Sequence, residues 1–312
     1  MKNMLFIMNP KAGRTTLKNS LVDVLEVFCN AGYAVRTYIT SGPEDAQSIV
    51  ATEGANYDVI VCAGGDGTLG NTATGFMKGD VDVPLGYIPC GSTNDFARSM
   101  DIPRETVEAA QMIVNSEPFA IDIGSLNDKN FVYVAAFGIF SDTSYVTPQN
   151  MKNIFGHAAY ILQGIKSLTN VPSYNLKVTV DGEEIFGEYI FGMVSNSVSI
   201  GGLKSITRHG VEFDDGFFEG VLIEKLKSPA DLERVIRSLL TGNINDRNMV
   251  SFRAHRVKFE SEEPLAWTCD GEYGGEYTET KIHIHRKAVR LLVSQEPEET
   301  EAIETETDEP TN

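Results

Sequence analysis

The residues best suited to chemistry stand in four short segments, each closing an apolar run. NPKAGR (9–14) follows MLFIM, AGGDGT (63–68) ends VIVCA, CGSTNDFAR (90–98) follows LGYIP, and CDGE (269–272) follows LAWT. Three glycines among residues 64–67 let a backbone approach a ligand closely and adopt positive φ. A strand that turns there into a helix points free N–H groups at the carboxyl end of a sheet, where phosphates bind. Lys11 and Arg14 add positive charge to the first segment. Asp66 puts an acid inside this anion cradle, and Asp95 stands in the matching place one strand later. Two carboxylates facing a polyphosphate require a cation between them, and Mg²⁺ takes carboxylate, phosphate and water oxygens. The same segments also read as plain turns. Asp66, Thr68, Ser92, Thr93, Asn94 and Asp95 all suit helix caps, and Asp270-Gly271 suits a β-hairpin.

Other chemistries find less support. The chain has no GxSxG elbow for a serine hydrolase, and neither GxxxxGK[ST] nor GxGxxG. Cys29, Cys62, Cys90 and Cys269 show no CxxC spacing, which argues against zinc and against a disulfide framework. The five histidines have no metal spacing; His283 and His285 alternate along a strand. Glu212, Asp215 and Phe217 lie three and two residues apart. A curled loop could turn two carboxylates and one carbonyl toward a hard cation, or Asp215-Gly216 could simply enter a hairpin.

The elements that must position these groups follow from periodicity. Over the first 125 residues, apolar runs alternate with helical patterns. Leu17, Leu21, Val24, Leu25 and Phe28 fall on one helix face, and Pro43 suits the first position of a second helix. Such βαβα repetition predicts an α/β domain with a mostly parallel sheet and helices on both faces. From about residue 126, strand-like runs separated by Asn-Asp and Asp-Gly turns predict a larger β-rich domain of two packed sheets. The expected boundaries are 1–126 for the first domain and 127–285 for the second. The last strands, near 281–293, could belong to either domain, and an acidic disordered tail covers 295–312.

The net charge of −18 disfavours nucleic acid as a partner. Eight acidic residues and no basic ones crowd into 296–312. The start has no long apolar segment with a cleavage site, and no apolar run reaches transmembrane length. A cytoplasmic protein is expected. Membrane contact would need a local patch; residues 151–168 and the basic loop 201–210 are the candidates, and each also reads as an ordinary helix or loop.

NPKAGR, GGDGT and PCGSTNDFA, in this order, resemble the bacterial diacylglycerol kinase family of lipid kinases, whose nucleotide domain is shared with NAD kinases. IDIG (121–124), DDGFFEGVLIE (214–224) and CDGEYGG (269–275) extend the resemblance over roughly residues 4–293. It implies a nucleotide-binding α/β domain rejoined by a terminal strand near 286–294, a larger β-sandwich domain, an active site in the cleft between them, and transfer of the ATP γ-phosphate to a lipid hydroxyl. By the resemblance, Asn9, Pro10, Lys11, Ala12, Gly13, Arg14, Thr40, Gly64, Gly65, Asp66, Gly67, Thr68, Ser92 and Asn94 meet the nucleotide. Asp66, Asp95 and Asp122 join the catalytic Mg²⁺ network, and Asp270 is the base with Glu272 beside it. Glu212, Asp215 and Phe217 hold a structural Mg²⁺. It further implies a diacylglycerol-like membrane substrate, transient contact with the inner face of the membrane, and a homodimer. Where the family usually places Asn-Glu after GGDGTL, this chain has Gly70-Asn71. A soluble-metabolite kinase of the same superfamily, acting on NAD, and a nucleotide-binding regulator without turnover remain the alternative readings.

Overall fold

The structure is a computed structural model that describes residues 1–12, 16–92, 94–138, 171–196, 199–200, 203–204, 213–241 and 246–294. Arg14, Gly13, Thr93 and Glu212 lie outside these residues, as do 151–168, 205–212 and the acidic segment 295–312.

The first unit alternates β1 (Lys2–Met8), α1 (Thr16–Asn30), β2 (Tyr33–Ile39), α2 (Asp45–Glu53), β3 (Val59–Gly64), α3 (Asp66–Gly79) and β4 (Pro84–Pro89). The short α4 (Asp95–Ser99) and α5 (Thr106–Asn115) then lead to β5 (Pro118–Leu126). Every residue of β3 is buried, as a run of Val, Ile, Cys and Ala between two helix layers requires. Strand order is β2-β1-β3-β4, with parallel pairing throughout. From β1 the chain steps one way to β2, and from β3 the other way to β4. This reversal opens a crevice beyond the carboxyl ends of β1 and β3, the place where α/β sheets bind ligands. Helix α2 starts two residues after Pro43. The Asp45 carboxylate accepts hydrogen bonds from the backbone N–H groups of Ser41 and Gly42, so the turn extends past the proline.

The second unit contains β6 (Lys129–Phe131), β7 (Val134–Gly138), β8 (Tyr174–Val180) and β9 (Glu183–Ser195), the two-residue strands β10 (Ser199–Ile200) and β11 (Leu203–Lys204), and β12 (Phe218–Glu224). Helix α6 (Pro229–Thr241) precedes β13 (Met249–Ala254), β14 (Arg256–Cys269) and β15 (Glu272–Leu292). Strands β7 and β8 lie end to end. Both pair antiparallel with β9 on one side and with β14 on the other, so one row of the sheet is built from two separate segments. Trp267 is fully buried there, edge-on to Phe137 and Phe259 at 5.0 Å each.

The 21-residue strand β15 joins the units. Its first half pairs with β14, its second half pairs antiparallel with β5, and Arg290-Leu291 pair in parallel with β4. Thirteen described strands therefore form one hydrogen-bonded network. Parallel pairing is confined to β1–β4 and the β4–β15 seam; all other pairs are antiparallel. The expected mostly parallel sheet is thus corrected to a mixed one, because β15 returns against β5.

Candidate active site

The turns after β1 and β3 meet at the crevice. The backbone N–H of Asn9 donates to the Ala63 carbonyl at 3.0 Å, and its side-chain amide donates to Thr68 Oγ1 at 3.0 Å. Asn9 Oδ1 accepts from the Lys11 N–H, which curls residues 9–12 into an Asx turn with Pro10 at its exposed tip. Thr40 closes the side wall, bonded to the Met8 carbonyl through both N–H and hydroxyl. A cavity of about 360 Å³ lies among Asn9, Lys11, Thr40, Gly65, Thr68 and Glu272, with Ala12 and Gly67 also lining it.

Gly65 and Gly91 let two loops touch. A Cβ on Gly91 would stand 2.7 Å from the Gly65 Cα, a backbone contact that nothing can relieve. Gly67 does the same for a side chain: a Cβ there would meet Glu272 Oε1 at 2.7 Å. Glu272 therefore rests on the first turn of α3, reaching over from the second unit.

Beside this cavity lies a second, of about 340 Å³, sharing Gly67, Asn71 and Glu272 with it and walled by Asp270, Lys129 and Tyr273. Asp270 sits at the β14–β15 turn in the left-handed region, at φ 50°. Its Oδ2 accepts from the Val132 N–H at 2.7 Å, and its Oδ1 from the N–H groups of Tyr133 and Val134 at 3.0 Å each. Three donors fix the carboxylate and favour its charged form, yet burial outweighs them and pushes the carboxyl up to about 7, with the Asp66 charge adding to the rise.

Asp66 opens α3 and accepts from the N–H groups of Asp95 and Phe96 at 3.2 and 3.3 Å, tying α3 to the start of α4. Burial, and then the charge of Asp66, raise Asp95 to about 6; Arg98 and Arg104 oppose this only in part. Asp66 thus acts electrostatically on both Asp95 and Asp270, and the three acids share one neighbourhood. Such a surplus of negative charge fits a hard cation that brings its own phosphate and water oxygens. Among the described residues, no group of three or more His, Cys, Asp or Glu side chains could enclose a metal without such help.

The remaining expected residues lie elsewhere. The Asn94 amide is spent on Gly91, accepting from its N–H at 2.8 Å and donating to its carbonyl at 2.9 Å. Gly64 is the buried last residue of β3, its carbonyl accepting from Tyr87. Ser92 is exposed beside Gly91 and outside both cavity linings.

Asp122 is fully buried. Its Oδ2 accepts from the Gly216 N–H and its Oδ1 from the Lys287 N–H, at 2.6 Å each. It pins the bend of β15 and a loop of the second unit onto β5, and its carboxyl is raised, by burial first. The charges acting on it are Asp215 and Arg286.

Asp215 accepts from the Phe217 N–H at 2.8 Å and pairs with Arg253, whose guanidinium lies 4.0 Å above the Phe217 ring. A side-chain cation already balances this loop. Glu212, the other carboxylate of the expected structural metal site, lies outside the described residues.

Lys129 carried no sequence signal, and Tyr273 none beyond its place in CDGEYGG. The Lys129 Nζ donates to the Tyr273 carbonyl at 3.2 Å and lies over its ring. A hairpin lysine looks like any surface lysine until β6 is brought beside β15.

Residues 3–126 match the family model described as diacylglycerol kinase catalytic domain, and 136–293 match the YegS C-terminal NAD kinase beta sandwich-like domain. The chain is 35% identical to a diacylglycerol kinase of Bacillus subtilis (strain 168) over 293 residues, covering 91% of this chain and 96% of the relative. A diacylglycerol kinase of Staphylococcus aureus (strain JH9) is 31% identical over 289 residues, covering 91% and 90%. A crystal structure of a diacylglycerol kinase from Bacillus anthracis str. Sterne shares the fold, with TM-score 0.72, 21% identity, and coverage of 94% of this chain and 97% of that one.

Proposed function

Because the chain belongs to the diacylglycerol kinase family of enzymes, we propose that it transfers the γ-phosphate of ATP to a lipid hydroxyl, converting diacylglycerol to phosphatidate with Mg²⁺. The observation that carries this is Asp270: a buried carboxylate held by three N–H groups beside a cavity continuous with the crevice at β1 and β3.

Phosphoryl transfer is mostly positioning and charge neutralisation. The Asn9–Ala12 turn and the N-terminus of α3 would receive the nucleotide phosphates. Mg²⁺, when bound, neutralises phosphate charge, and Asp66 and Asp95 would hold it. Asp270 would orient the acceptor hydroxyl. An alcohol resembles water, with a pKa of about 15.7, so Asp270 cannot hold it ionised beforehand. It takes the proton late, as the oxygen bonds to phosphorus, and its raised basicity helps. Glu272, resting on α3, would keep the two units aligned across the cleft.

No described helix is long and apolar enough to cross a membrane. A lipid acceptor therefore calls for transient contact with the membrane surface. The test is phosphorylation of diacylglycerol in mixed micelles by purified protein with ATP and Mg²⁺, against Asp270→Ala. Phosphatidate formation that the substitution abolishes supports the reading. Phosphorylation of NAD with no lipid product, or ATP binding with no turnover on any lipid alcohol, overturns it.

A further inference from the structure

Arg256 and Lys258 on β14 point outward, since Val257 and Phe259 turn into the core of the second unit. Lys281 and His283 on β15 point the same way, with Ile282 turned inward between them. The register sets Arg256 opposite His283 and Lys258 opposite Lys281, which makes a two-by-two grid of basic side chains on adjacent strands. Like charges facing each other across strands cost stability unless opposite charge offsets them.

The acids that compensate the grid serve only one half of it. Glu279 pairs with Lys258 at 2.9 Å and with Lys281 at 2.8 Å, and Glu260 takes Lys258 at 3.0 Å. The Arg256 guanidinium has no carboxylate partner among the described residues. The acid beside it, Asp181, spends its oxygens on the backbone N–H groups of His255 and Arg256, at 3.0 and 2.9 Å. His283 is held below its ordinary value by burial and then by the positive charges of Arg256, His285 and Lys281. A groove of about 620 Å³ lies over these side chains, walled also by Thr179 and Asp181.

We propose that this groove binds a phosphate-type anion, held by Arg256, Lys258, Lys281 and His283, at a site separate from the nucleotide cleft. Arginine offers the planar fork that matches phosphate oxygens. Lysine adds point charge, and an anion would relieve the repulsion that the register imposes. Cys269, next to Asp270, lies thirteen positions along β14 from Arg256. At about 3.3 Å per residue the two sites lie on the order of 40 Å apart. The anion can be free phosphate or the headgroup of an anionic lipid.

The His283 ring signals of the full chain decide the matter by NMR, without ATP. They would be titrated with sodium phosphate, with sodium chloride at matched ionic strength, and with phosphatidylcholine vesicles with and without phosphatidate. A saturable shift with phosphate assigns the site to free phosphate; one seen only with phosphatidate vesicles assigns it to a lipid headgroup. Either response must weaken about tenfold or more in Arg256→Gln and in Lys281→Gln, as loss of one charge-assisted contact requires. It must persist in Asp270→Asn, which separates it from the catalytic reading. No saturable shift from any source, a shift that chloride reproduces, or one that survives both grid substitutions overturns the proposal.

Discussion

At Asp270 two opposing effects are visible in one carboxylate. Three N–H donors pull its proton affinity down, and burial pulls it up further, to about 7. If the deprotonated form accepts the hydroxyl proton, kcat/KM rises with pH and levels off above about 7. Asp270→Ala should lower kcat by about 10²–10⁴-fold, the usual worth of a positioned base. An acid limb near the ordinary aspartate value would show that another group sets the profile. Gly70 offers a finer probe. A Cβ there would lie 3.4 Å from Asp270 Oδ2 and meet no backbone, so an asparagine side chain would start beside that oxygen. Its amide would donate toward that oxygen and favour the carboxylate. Gly70→Asn is expected to move the acid limb of the pH–rate profile downward. An unmoved limb would mean that the amide turns to solvent.

Elements decide what two other acids do. Asp122 was readable as an acid in a short motif, but not as a cross-link, because its partners are the backbone N–H groups of Gly216 and Lys287. Backbone donors far apart in the chain leave no mark in a sequence. The split row of β7 and β8 was hidden for the same reason: only β9 and β14 place the two segments in line. The turns after β1, β3 and β4 were legible, since glycine and Asx chemistry is local. As a cross-link, Asp122 should act on stability before rate. Asp122→Ala should cost about 2–4 kcal/mol in denaturant unfolding, for two charge-assisted hydrogen bonds lost, with kcat per folded molecule changed only a few-fold. A loss of 100-fold or more at full folding would instead place it in the catalytic metal network. Arg253 makes a parallel case. It pairs with Asp215 and lies 3.6 Å from Glu219, whose Oε2 has no hydrogen-bond partner. Chelation with EDTA should therefore leave the thermal midpoint unchanged, while Arg253→Ala lowers it. A midpoint that drops with EDTA in the wild type would place a structural metal at this loop.

Across the whole molecule, three buried acids bias stability in one direction. Asp95 is raised to about 6, and Asp270 and Glu219 to about 7, each mainly by burial. All three bind their protons more tightly in the folded chain than in the unfolded one. Between about pH 4 and pH 7 the folded chain holds the extra protons, so stability falls as pH rises through that window. Glu279, held at about 2 by Lys281 and Lys258, works the other way. Its contribution is present above the ordinary glutamate value and is lost as pH falls toward 2, outside this window, and solvent weakens it because it is exposed. His283, held below its ordinary value, opposes the decline as one group against three, so the thermal midpoint of the ligand-free protein should decline from about pH 5 to about pH 8. The double variant Asp95→Asn with Glu219→Gln should flatten the decline. Adding Mg²⁺ with a non-hydrolysable ATP analogue should flatten the Asp95 part, and some of the Asp270 part by offsetting the Asp66 charge, and leave the Glu219 part, since a cation at Asp66 and Asp95 favours charged carboxylates there. A midpoint that rises over this range would mean that these carboxylates are solvated in solution, and the electrostatic case for a cation between Asp66 and Asp95 would fall with it.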